Sequence, residues 1–96
     1  FIPNLFTPND DGKNDELRVY GLASVSNFSL TIFNREGAQV FKTTDVTEAT
    51  QRGWDGKRNG TVQPPGVYFW KVKGQLSSGK SLVLNGKSSG SIVLVR

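Results

Sequence analysis

Four of the eight carboxylates of this 96-residue chain, Asp10, Asp11, Asp15 and Glu16, fall in one short stretch. The chain contains neither cysteine nor histidine. Ser-His-Asp and Cys-His catalysis, disulfides, thiolate ligands and the usual zinc sites are therefore excluded within it. What remains is carboxylate or lysine chemistry and oxygen-ligand metals such as calcium. Asn9, Asp11 and Asp15 offer side-chain oxygens at spacings of two and four, with Gly12 allowing a sharp bend. This is a fragment of a calcium-loop pattern. The pattern is incomplete, because a loop anchored with Gly12 at its sixth position puts Arg18 where a bidentate Glu belongs. The plainer reading is a turn in which Asn and Asp side chains accept hydrogen bonds from their own backbone.

Trp54 and Trp70 also admit two uses. An exposed indole can stack on a sugar ring, and a buried one supplies a large core area with one N–H to satisfy. Trp70 alternates with Tyr68 and Val72, so the core reading is the stronger for it. Trp54 precedes Asp55-Gly56 and is expected to fold back over an open edge or end of the fold. Adjacent Asp10 and Asp11 point apart on a turn, which does not suit paired-carboxylate glycoside chemistry. The glycines from Gly86 to Gly90 lead into a strand and not a helix N-terminus, so a phosphate cradle is not supported.

These residues are positioned by β-structure. Alternation and short β-branched or aromatic runs, separated by Gly, Pro, Asn and Asp, dominate the sequence. Strands are expected at residues 1–6, held to an edge by Pro3 and Pro8, and at 16–20, 27–33, 38–43, 67–74, 81–84 and 91–96. Phe28, Leu30 and Ile32 share one face of their strand; Tyr68, Trp70 and Val72 share one face of theirs, with Phe69, Lys71 and Lys73 opposite. Asn34-Arg35-Glu36-Gly37 reads as a tight hairpin, and Asp55-Gly56 and Asn59-Gly60 as turns. Asp45 and Glu48 have capping-box spacing for one helical turn. The fold class is all-β: an immunoglobulin-like antiparallel β-sandwich of about seven strands.

Charge and hydropathy narrow the partners. The net charge is +4 and the pI about 9.7, but the twelve Lys and Arg are spread out, with no run longer than Lys57-Arg58. A solvated surface is expected, with no nucleic-acid partner. Apolar runs reach only four residues, far from the ~20 of a membrane helix, so no direct membrane insertion is expected. The chain starts at Phe1 without an initiator methionine or export segment, which reads as a domain cut from a longer precursor.

Four stretches in order carry a family resemblance. They are Phe6-Thr7-Pro8-Asn9-Asp10-Asp11-Gly12-Lys13-Asn14-Asp15; Ile32-Phe33-Asn34-Arg35-Glu36-Gly37 with Val40-Phe41; Gly53-Trp54-Asp55-Gly56 with Pro65-Gly66-Val67-Tyr68; and Gly90-Ser91-Ile92-Val93-Leu94-Val95-Arg96. Together they resemble the gliding-motility-associated C-terminal domain, the type B sorting domain of the bacterial type IX secretion system. The resemblance covers essentially the whole chain. It departs where the family turn usually reads Asn-Gly-Asp-Gly, and where the hairpin usually carries an aromatic and this chain has Glu36.

The resemblance implies that residues 1–96 are a single C-terminal sorting domain of a larger secreted or surface protein, such as an adhesin used in gliding. It implies a non-catalytic signal that directs its cargo across the outer membrane. The implied partners are outer-membrane translocon components and a dedicated outer-membrane protein, and the implied location is secreted or cell-surface. No cofactor is expected beyond the calcium alternative at Asn9, Asp11 and Asp15. The other reading is an adhesive or carbohydrate-binding sandwich using Trp54 and exposed aromatics. Recognition is expected near the end of the chain, at Ile92, Val93, Leu94, Val95 and Arg96. Alternation puts Ile92 and Leu94 on one side and Val93 and Val95 on the other, and one pair should face solvent.

Overall fold

The computed structural model describes residues 1–8, 16–22 and 24–95. Among these residues seven strands form: β1 (Leu5–Phe6), β2 (Val25–Phe33), β3 (Gln39–Thr43), β4 (Lys57–Arg58), β5 (Thr61–Val62), β6 (Gly66–Leu76) and β7 (Ser89–Leu94). Five of them make one sheet in the order β1-β7-β6-β2-β3, and β4 and β5 make a separate ribbon. All neighbours are antiparallel except β1 and β7, which run parallel with Leu5 opposite Val93 and Phe6 opposite Leu94. That pair departs from the fully antiparallel sheet expected from sequence. It is possible because β1 and β7 lie at opposite ends of the chain, with the rest of the fold as their crossover.

Period-two alternation decides which face is buried. Phe28, Leu30 and Ile32 of β2, Tyr68, Trp70 and Val72 of β6, and Ile92 and Leu94 of β7 all point inward and are buried. Register aligns them into rows, among them Gly90–Trp70–Ile32–Phe41 and Val72–Leu30–Thr43. Gly90 has a packing reason: a Cβ there would lie 2.7 Å from the Trp70 ring. The indole lies across the glycine of the neighbouring strand, where no larger residue leaves it room.

The second layer is less regular than the first. It is built from Ile2, Leu17, Val19, Ala49, Trp54, Leu82 and Leu84, all buried. The strands expected at residues 16–20 and 81–84 are reduced to isolated bridges. Leu17 exchanges backbone hydrogen bonds with Trp54 (2.7 and 2.9 Å), and the Val19 N–H donates to the Ala49 carbonyl at 2.9 Å. Their partners are loop and helical backbone, so no ladder propagates. Residues 57–62, where the sequence marks only turns, supply the β4–β5 ribbon instead. Its turn, Asn59-Gly60, has both φ angles positive, at 51° and 81°, as a tight hairpin of the I′ kind requires.

A helical turn forms at residues 46–52, as expected, but without the reciprocal box: the Asp45 N–H donates to Thr43 Oγ1 at 3.1 Å and not to Glu48. The Asp45 side chain accepts the Thr47 N–H at 2.9 Å, and Gly53 closes the turn by donating its N–H to the Glu48 carbonyl at 2.7 Å. The Asn34–Gly37 hairpin is held by the Asn34 side-chain oxygen, which accepts from the Glu36 and Ala38 N–H groups at 3.1 and 2.9 Å.

Candidate recognition surface

The inner rows fix the outer ones. Because Ile92 and Leu94 point into the core, Val93 and Val95 face solvent, at 38% and 41% exposure. Val93 stands opposite Leu5 of β1 on one side and Val67 of β6 on the other. Leu5 and Val67 are 49% and 37% exposed. One row along, Phe69 (45% exposed) pairs with Ser91 and with Phe33 of β2. A contiguous apolar strip thus crosses β1, β7, β6 and β2 on the outer face. An open groove lined by Phe33, Phe69, Lys71, Ser89, Gly90 and Ser91 runs beside it.

The next rows change character. Lys71 pairs with Ser89 and Thr31, Thr31 with Lys42, and Lys73 with Ser29. The Lys71 ammonium lies 5.8 Å from the centre of the Phe33 ring, a cation–π contact at the boundary between the apolar and cationic parts.

The five end-of-chain residues expected to be recognised therefore divide. Ile92 and Leu94 are core residues, at 0% and 1% exposure, and Val93 and Val95 belong to the outer strip. Arg96, and Asn9, Asp11 and Asp15 of the calcium alternative, lie outside the described residues. Leu5, Phe33, Val67, Phe69 and Lys71 were not singled out from sequence as part of this surface. Alternation marks the outward side of residues 67–74, but only strand order brings that side next to Val93.

Neither tryptophan offers a sugar platform. Trp54 is 1% exposed and packed between Phe6 and Tyr68, with ring centres 5.3 and 5.1 Å away. Its Nε1–H donates to the Lys57 carbonyl at 2.9 Å. Trp70 is buried as well. The Tyr68 hydroxyl donates to the Pro64 carbonyl at 2.6 Å, tying the start of β6 to the chain four residues upstream, as in a tyrosine corner.

Of the described acids, Glu36 lines a groove with Pro65, Gly66 and Val67 at the start of β6. Glu16, Glu48 and Asp55 line a shallow groove shared with Arg52. Glu16 is ion-paired with Arg18 at 3.2 Å, and the Asp55 side chain accepts the Lys57 N–H at 3.0 Å, so both are engaged in local structure.

Over residues 1–93 the sequence matches the CHU_C type IX secretion signal domain family. The chain belongs to this family. None of the curated proteins matches it in sequence. A type IX secretion signal serves sorting and implies export of the protein that carries it. The family is a secretion-signal family and not a catalytic one. The type IX secretion signal domain thus presents a folded sheet whose outer face is half apolar and half cationic.

Proposed function

We propose that this type IX secretion signal domain is the non-catalytic C-terminal module of a larger cargo, and that its folded outer face is read by protein–protein recognition. The readers are outer-membrane translocon components together with a dedicated outer-membrane partner, and the cargo is delivered to the surface or the medium. The observation that supports this reading is the apolar row Leu5–Val93–Val67 with Phe69 beside it. Buried strands bring these four side chains together from three parts of the chain, and each keeps more than a third of its surface in solvent. Contiguous exposed apolar surface of this kind marks interaction sites in folded proteins. Val93 and Val95 are the end-of-chain residues that take part, with Ile92 and Leu94 holding them in place from the core. The test is a reporter carrying residues 1–96 at its C-terminus, expressed in a bacterium with a working type IX translocon and in the same strain without one. The reporter is expected outside the cell in the first and in the periplasm in the second. Periplasmic retention in both would contradict the proposal.

A further inference from the structure

The outer face is polarised along β6. Its outward residues, in order, are Val67, Phe69, Lys71 and Lys73, spaced about 6.6 Å apart as alternate residues of a strand are. Lys42 of β3 joins the two lysines through Thr31. Among the described residues, no Asp or Glu occupies an outward position on this sheet. The described carboxylates Glu16, Glu36, Asp45, Glu48 and Asp55 all sit outside the strands. The three lysines make no ion pair among the described residues. Among the described residues, the outer face therefore carries cationic side chains with no carboxylate on the same face, directly beside its apolar part.

We infer that the occupant of this face is an acidic protein surface: an apolar patch on the partner covers Leu5, Val67, Phe69 and Val93, and partner carboxylates meet Lys71, Lys73 and Lys42. This inference rests on the reading of the outer face as the recognition surface and adds the chemistry of the partner. Four points favour this occupant over the others. Apolar area next to unpaired like charges is matched by apolar area next to opposite charges, which also suppresses wrong partners. A second copy docked face to face would place lysines against lysines or against the apolar strip, and never against carboxylates on this face among the described residues. An anionic membrane is a poorer fit, because side chains only 37–49% exposed on a sheet do not project far enough to enter the acyl boundary. The Lys71–Phe33 contact holds one cation at the junction, where a partner carboxylate can reach it while the apolar strip is covered.

The test uses the reporter carrying residues 1–96, with the isolated domain's circular dichroism and melting recorded for each variant. K71E/K73E is expected to fold and to lower the exported fraction by about tenfold, because like charges then face each other across the interface. K80E, a charge reversal in the turn that follows β6 and outside the strands, is expected to export as the parent does. K71Q/K73Q removes the charge while matching the side-chain length of the glutamate variant, and is expected to fall between the parent and K71E/K73E. Parental export of K71E/K73E would overturn the acidic-partner inference, as would parental export of K71Q/K73Q should the reversal fail to fold. If Val67→Thr, Phe69→Thr and Val93→Thr together still block export in that case, the recognition reading stands without it. Cosedimentation of the domain with vesicles of phosphatidylglycerol and phosphatidylethanolamine, lost in K71E/K73E, would overturn the inference in favour of a lipid surface. Concentration-dependent dimerisation lost in K71E/K73E would overturn it in favour of a second copy.

Discussion

Trp54 packs the second layer against the sheet. Its ring touches Phe6 and Tyr68, its backbone pairs with Leu17, and its N–H satisfies the Lys57 carbonyl. Trp54→Ala should therefore cost about 3–5 kcal/mol from lost burial and the cavity left behind. Against a total of about 5–15 kcal/mol, that is enough to unfold part of the population, as a urea melt will show. Gly53 beside it has φ of 69°, and a Cβ there would run into the Leu17 carbonyl. Gly90 has a different constraint, the Trp70 ring, and no unusual φ. Gly90→Ala should cost about 1–3 kcal/mol as the indole is pushed off its place. In the same melts, a Gly90→Ala domain as stable as the parent would show that Trp70 does not need the glycine.

At the scale of the strand, β7 has a buried side and an exposed side. Leu94 is buried, stands opposite Phe6 and Gly66, and is part of what attaches β1 to the sheet. Leu94→Ala should lower stability by about 2–5 kcal/mol, whereas Val95→Thr, at an exposed position, should stay within about 0.5 kcal/mol of the parent. Thermal melts of the two variants check this. A chain cut before Leu94 would therefore fail to export for reasons of folding as well as recognition, and point substitutions at Val93 and Val95 are the cleaner probe. Much of this arrangement is legible in the sequence. The alternation in residues 27–33 and 67–74 names the inner residues of β2 and β6, and Asn34–Gly37 and Asp45 name the hairpin and the helical turn. Where alternation meets no partner ladder, as at Leu17 and Leu84, it marks a buried face but not a strand. The parallel pairing of β1 with β7 depends on contacts between the two ends of the chain and leaves no local signal. For the same reason Val93 could be read as one of an outward pair, while its neighbours Leu5 and Val67 could not be known before strand order was.

On the scale of the whole molecule, one layer is regular and the other is assembled from bridges, a helical turn and a two-stranded ribbon. The regular layer turns its back to solvent, and there the apolar strip and the lysines lie side by side. On the proposed reading, folding and recognition use opposite faces of the same sheet, which makes them separable by mutation. The most direct measurement is the location of a reporter fused to residues 1–96 carrying Val67→Thr, Phe69→Thr and Val93→Thr, scored beside the melting curve of the isolated triple variant. Threonine keeps the β-preference of these positions while replacing their apolar surface. The expected result is a cooperative melt like that of the parent and a reporter held in the periplasm. A folded triple variant delivered outside the cell as efficiently as the parent would contradict the claim that this face is what the secretion machinery reads.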